Sequence, residues 1–172
     1  MIGLAQLNAL PADKFVATLA GIFEHSPWVA QRVCEGRPFD SPELLLEAMR
    51  AAVEAATSDE QLALIRAHPK LRVSGRAREE LSAASSREQR GAGLEACTPE
   101  ESARLDALNA LYAEKFAMPF ILAVRGHTPQ SIIAACERRL SNDAASERRA
   151  ALHEIGLIAG YRLADLVSIA GN

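Results

Sequence analysis

β-Branched residues are scarce in this chain of 172 residues: seven Val, nine Ile and four Thr stand against 33 Ala and 21 Leu. Good helix formers therefore greatly outnumber the residues that suit a pleated surface, which excludes a β-sandwich or barrel. Cysteine is sparse as well. Cys34, Cys97 and Cys136 are widely spaced, without CxxC or any Cys/His pair at zinc-ligand spacing. They read as three buried thiols of a reducing compartment. No stretch approaches the 18 or more apolar residues that a membrane span needs, and residues 1–14 lack a basic start followed by a long apolar run. The expectation is a soluble, cytoplasmic protein that does not engage membranes. Nor is there an excess of one charge: 19 basic and 22 acidic residues are interspersed, giving a net charge of −3. No basic stripe exists to neutralise phosphates, so nucleic acid is not an expected partner.

Apolar residues make up 49% of the chain and charged residues 24%, a composition that folds around a core. The length suits a single domain, residues 1–172, and the expected fold class is all-α, a compact bundle of about seven to nine helices. Phe15, Leu19, Ile22 and Phe23 form the first apolar stripe at helical spacing, which Ser26 and Pro27 end or bend. Ser41 and Pro42 announce a helix to about Ala56. Ser58 and Gln61 have capping-box spacing for a short helix that must stop at His68, because Pro69 disfavours helical geometry in the residue before it. Residues 70–97 are polar and carry Gly75, Gly91 and Gly93. They read as a loop, a short helix near Arg76 to Ala84, and an irregular stretch around the glycines. Thr98, Pro99 and Glu101 open a long helix through Leu105, Leu108, Leu111 and Tyr112 towards Phe116. The apolar run from Pro119 to Val124 is too short for periodicity to separate a buried extended strip from a helical turn. Thr128 and Pro129 open a helix to about Leu140, and a last helix spans roughly Ala144 to Ala170.

Three features are costly to maintain. Ile155, Ala159, Arg162, Leu166 and Ile169 recur on one helical face, so Arg162 sits inside an apolar stripe. A buried guanidinium must be paired or hydrogen-bonded; Arg162 is either an internal salt bridge or edge residue, or an anchor for an anion or carbonyl in a pocket. His68 projects where a helix ends and the chain turns, which suits either proton exchange near neutral pH or a solvated or core histidine. His25, His127 and His153 have no partner arranged as a metal site, and no metal is expected. The stretch from Ser85 to Leu94 (SSREQRGAGL) gathers donors, acceptors and glycines. It is either a polar binding segment or a helix start, since Ser85/Glu88 and Ser86/Gln89 both have capping-box spacing.

Taken in order, His68-Pro69-Lys70-Leu71, the SSREQRGAGL segment, Leu108-Asn109-Ala110 with Tyr112, Lys115 and Phe116, and Pro119-Phe120-Ile121 followed by Arg125-Gly126 resemble the OHCU decarboxylase family. OHCU is 2-oxo-4-hydroxy-4-carboxy-5-ureidoimidazoline, which such enzymes convert to (S)-allantoin in urate degradation. The resemblance covers nearly the whole chain. It implies an all-helical homodimer that works without metal or organic cofactor. It also implies His68 as the catalytic acid, with Glu88 and Arg162 in the catalytic set. Pro69, Ser85, Ser86, Arg87, Glu88, Gln89, Arg162 and the backbone of Phe120, Ile121, Leu122, Ala123 and Val124 would line the substrate site. Where the family is expected to carry Gly-Phe before Pro119, this chain has Ala117-Met118. The competing classes are a non-catalytic helical interaction module and a small amidohydrolase acting on ureides.

Overall fold

The computed structural model describes residues 1–71 and 82–169. Among them are nine α-helices and one pair of two-residue strands, so the fold is of the all-α class, mostly helical with one minimal sheet. The helices are α1 (Leu4–Asn8), α2 (Ala12–Leu19), α3 (Trp28–Val33), α4 (Pro42–Glu54), α5 (Ser58–Ala67), α6 (Ala83–Gly91), α7 (Pro99–Phe116), α8 (Pro129–Arg139) and α9 (Ala144–Leu166). By their contacts the residues divide into two compact units. One comprises Met1–Ala67 together with the chain from Ile155 onward, and the other His68–Glu154, so α9 contributes to both.

In the first unit α3 packs on α2 and α4. Leu7, Phe15, Leu19, Ile22, Phe23, Val29, Leu45 and Met49 are buried in its core. The stripe from Phe15 to Phe23 is all buried, but the helix stops at Leu19 rather than near Ser26. Beyond Leu19 the chain turns, with the Ile22 N–H bonded to the Leu19 carbonyl at 3.0 Å. Ser41 caps α4 by accepting from the Leu44 N–H, with Pro42 in the first turn as the sequence predicts. The box before α5 lies one residue earlier than its expected pair. Thr57 and Glu60 exchange the capping bonds, at 3.3 and 2.9 Å, while the Gln61 amide donates back to the Val53 and Glu54 carbonyls at the end of α4. Such caps are worth about 1 kcal/mol each, because they satisfy donors that a helix end leaves unmatched.

The C-terminal part of α9 runs against α4 at a glycine. Arg50 on α4 donates to the Gly156 carbonyl through Nη2 at 2.7 Å, and a Cβ on Gly156 would stand 3.2 Å from its Nε. The apolar face of this part is Ile155, Ile158, Ala159 and Leu163, with Arg162 among them. Ile169, expected on that face, is 75% exposed, because α9 ends at Leu166. Val167 and Ser168 leave the helix to pair in parallel with Ile2 and Gly3, a pairing that local periodicity does not register. Ala170, where the last helix was expected to end, lies outside the described residues.

In the second unit α7 packs on α8. Thr98 and Glu101 form the capping box predicted for α7, and Thr128 opens α8 with Ser131 as its reciprocal partner. Leu105, Leu108 and Tyr112 form the buried face of α7, whereas Leu111 is half exposed. The helix ends at Ala117, which takes the left-handed conformation with φ 53°. Around the glycines the structure differs from expectation. Gly75 and most of the helix expected near Arg76 to Ala84 fall outside the described residues. Ser82, rather than Ser85 or Ser86, caps α6 by accepting from the Ser85 N–H, so Ser85 stands in the first turn and Ser86, Glu88 and Gln89 follow along the helix. Gly93, at φ 71°, then turns the chain into a 3₁₀ turn at Leu94–Ala96. Of the cysteines, Cys34 and Cys136 are buried, but Cys97 is only partly so.

Candidate active site

Three of the stretches singled out in the sequence lie in the second unit. α5 stops at Ala67, as Pro69 demands, and the His68 side chain is buried at 6% exposure just past its end. The segment that follows is held by two amides. Gln89 of α6 donates through Nε2 to the Lys70 carbonyl at 3.2 Å, and Asn109 of α7 donates through Nδ2 to the Leu71 carbonyl at 2.8 Å. Gln89 is thus a structural tether of the histidine segment as well as a candidate substrate residue.

Helix spacing sorts the remaining residues of α6. Ser85, Glu88 and Gln89 stand three and four apart, so they share one face. Ser85 and Gln89 are buried and Glu88 is partly covered, with Ser86 beside them, whereas Arg87 is exposed on the opposite side. The Ser85 hydroxyl accepts from that of the capping Ser82 at 3.1 Å.

The run from Phe120 to Val124 is neither helix nor strand, and all five residues are buried. This resolves the ambiguity of the sequence in favour of a buried strip. Arg139 of α8 donates to the Ile121 carbonyl through Nη1 at 2.5 Å, and its guanidinium lies 4.8 Å over the Phe120 ring. Glu154 of α9 accepts from the Ala123 N–H at 2.8 Å. Arg139 is itself ion-paired with Glu147, whose side chain is wholly buried and also accepts from the Tyr112 hydroxyl and the Asn142 amide. Burial, reinforced by the hydrogen bond to Glu147, pushes the Tyr112 hydroxyl far above its ordinary pKa, so it remains a donor. A buried carboxylate is sustained only when its oxygens are matched in this way.

Arg162 belongs to the first unit. Its Nη1 donates to Glu24 Oε2 at 2.7 Å and to the Gly21 carbonyl at 3.2 Å, and both charged side chains are buried. The buried arginine expected from the α9 stripe is therefore in an ion pair, with a carboxylate that sequence reasoning did not single out. An open groove of about 510 Å³ in the same unit, lined by Arg32, Val33, Phe39 and the alanines of α4, contains none of the candidate residues. Among the described residues no three His, Cys, Asp or Glu side chains are grouped as a metal site, and no helix is long and apolar enough to cross a membrane.

Asn109, Arg139, Glu147 and Glu154 were not assigned roles from the sequence. Arg139 and Glu147 pair with each other eight residues apart, but Asn109, Arg139, Glu147 and Glu154 also have partners 38, 18, 35 and 31 residues away, beyond any local spacing rule. The available signal was a polar residue recurring beside the buried face of an amphipathic helix.

Comparison with known proteins agrees with the resemblance noted in the sequence. Residues 8–164 match the family model described as OHCU decarboxylase. A 2-oxo-4-hydroxy-4-carboxy-5-ureidoimidazoline decarboxylase of Haloferax volcanii is 42% identical over 165 residues, which is 96% of each chain. The uric acid degradation bifunctional protein PucL of Bacillus subtilis is 39% identical over all of this chain and 34% of its own length. Among solved structures, that of an (S)-allantoin synthase superposes with a TM-score of 0.79 at 27% identity, covering 96% of this chain and 54% of that one. The chain belongs to the OHCU decarboxylase family.

Proposed function

We propose that this protein is a carboxy-lyase that converts OHCU to (S)-allantoin in urate degradation, with His68 as the acid and Glu88 and Arg162 completing the catalytic set. Family membership over nearly the whole chain supports the reaction. The observation that carries the site is the bond from Gln89 to the Lys70 carbonyl, which joins the His68 segment to the polar face of α6.

The substrate carbon that loses carbon dioxide carries a hydroxyl and adjoins a ring C=N. When the bond to the carboxylate breaks, its electron pair moves into the ring as the C=N accepts density and its nitrogen takes up a proton, leaving an enol. The adjacent carbon, which bears the ureido arm, takes a proton, and the enol hydroxyl gives up its own to become the carbonyl of allantoin. The substrate thus supplies its own electron sink, and the reading needs no metal or organic cofactor. The protein has to orient the ring and deliver one proton to one face, which His68 is suited to do near neutral pH. Arg162 offers a fixed fork to carbonyl or carboxylate oxygens, and Gln89 both a donor and an acceptor. Glu88, on the helical face with Gln89, is placed in this reading to hold His68 or a substrate N–H or hydroxyl. Pro69, Ser85, Ser86, Arg87 and the strip Phe120, Ile121, Leu122, Ala123 and Val124 complete the substrate contacts. Arg87, which is exposed, is placed there on the family resemblance alone. The same resemblance supports a cytoplasmic homodimer.

The test is to generate OHCU in situ with urate oxidase and hydroxyisourate hydrolase and to measure carbon dioxide release with and without the protein. Accelerated release supports the reading. No acceleration contradicts it, and ammonia or a ring-opened product without carbon dioxide would mark a ureide amidohydrolase instead.

A further inference from the structure

We propose that Arg139 and Glu154 are positioning residues that hold the strip Phe120–Val124 so that the peptide group of Leu122 is presented to the cyclic ureide substrate. This rests on the reading above, in which the strip lines the substrate site.

The strip is buried, yet no strand among the described residues pairs with it. A buried peptide group without a partner is costly, so a segment of this kind keeps one conformation only if side chains replace the missing ladder. Two of them do. Arg139 donates to the Ile121 carbonyl at 2.5 Å, and Glu154 accepts from the Ala123 N–H at 2.8 Å. Ile121 and Ala123 flank Leu122, so the two bonds fix the backbone on either side of it. The N–H and C=O of Leu122 itself make no hydrogen bond within the described residues. Its N–H and C=O together offer a donor and an acceptor side by side, the complement of the N–H/C=O edge of an imidazolone ring or a ureido arm.

The clamp is braced from a single helix. Glu147 and Glu154 are seven residues apart on α9, two turns along the same face, about 10 Å in rise. Glu154 grips the strip directly, and Glu147 fixes Arg139, which grips it two residues away. Tyr112, bonded to Glu147, packs its ring edge-on to Phe120 at 5.2 Å and closes the set. Loss of the Glu154 contact should let the Leu122 edge drift without touching the proton donor, which separates an effect on binding from one on chemistry.

The experiment compares E154A with E154Q, using freshly generated OHCU as substrate. The glutamine retains an oxygen that accepts from the Ala123 N–H, so its KM should stay within about twofold of the parent's. The alanine removes the acceptor, and its KM should rise about tenfold with kcat little changed, the effect of one misplaced hydrogen bond. If E154A does not fold, E154D, which keeps the charge but withdraws the acceptor by one methylene, should raise KM in the same sense. A KM within twofold of the parent's in the variant that folds, or equal impairment of E154Q and E154A, would overturn the clamp while leaving the decarboxylase reading intact. A parent protein that does not turn over OHCU would contradict that reading and the clamp with it.

Discussion

Glu24 and Arg162 form an ion pair at 2.7 Å, 138 residues apart in sequence and both buried. Glu24 lies in the turn that follows α2, so the pair ties the last helix of the first unit to its beginning. Removing one partner leaves a charge in the interior. E24A should therefore lose about 3–5 kcal/mol of stability, and E24Q, which keeps a hydrogen-bond acceptor, should lose less. Urea midpoints of the two variants check this order; equal midpoints for E24A and the parent would show that the pair carries little of the fold.

Arg162 also has a part in the reaction as proposed, and the two roles separate experimentally. Arg162→Lys keeps the charge but cannot reproduce the planar fork, so activity per folded molecule should fall by about tenfold or more. A lower denaturation midpoint with unchanged specific activity would leave Arg162 as a structural partner of Glu24 only.

Ala117 ends α7 in the left-handed region, where a Cβ is penalised by about 1–2 kcal/mol and glycine is not. A117G should stabilise the protein by about 1 kcal/mol, less what glycine adds to the freedom of the unfolded chain. The measurement is a rise in thermal midpoint without change in activity.

Burial pushes the Cys136 thiol up to about 11, with Arg139 opposing the rise and Glu147 adding to it. An unfolded thiol ionises near pH 8.5. Below about that pH both states keep the proton and the stability is intact; as pH rises towards 11 the unfolded chain releases a proton that the folded one retains, and stability falls. C136A should flatten the decline that begins near pH 8.5; the raised Tyr112 adds a further decline as the unfolded tyrosines ionise towards pH 10, and that part should be the same in both proteins. Unfolding midpoints across that range test it, and an identical slope in the variant would exclude Cys136 as the source.

What was legible in the sequence was mostly local. Ser41-Pro42, Thr98-Pro99-Glu101 and Thr128-Pro129 mark their helices because the capping chemistry sits within four residues. The start of α5 was displaced by one residue because Thr57/Glu60 and Ser58/Gln61 share the same spacing, and only the fold decides that Gln61 turns back to α4. Local rules also missed the end of α9. Its apolar pattern continues through Val167 and Ile169, but pairing with Ile2 and Gly3 takes the chain out of the helix. The same limit applies to the candidate site. Arg162 was conspicuous as a charge on an apolar stripe, while Glu24 was one acidic residue among 22. The strip from Phe120 to Val124 was visible as an apolar run, but Arg139 and Glu154 become its partners only through tertiary packing.

The central claim is that His68 delivers a proton to one face of the decarboxylated ring. OHCU formed in situ, followed by circular dichroism of the product, compares the parent protein with a folded His68→Gln variant. The account predicts rapid accumulation of the (S) signal with the parent and a rate lower by about 10² or more with the variant, the usual contribution of a positioned acid. A folded His68→Gln protein that forms (S)-allantoin at the parent's rate would contradict it.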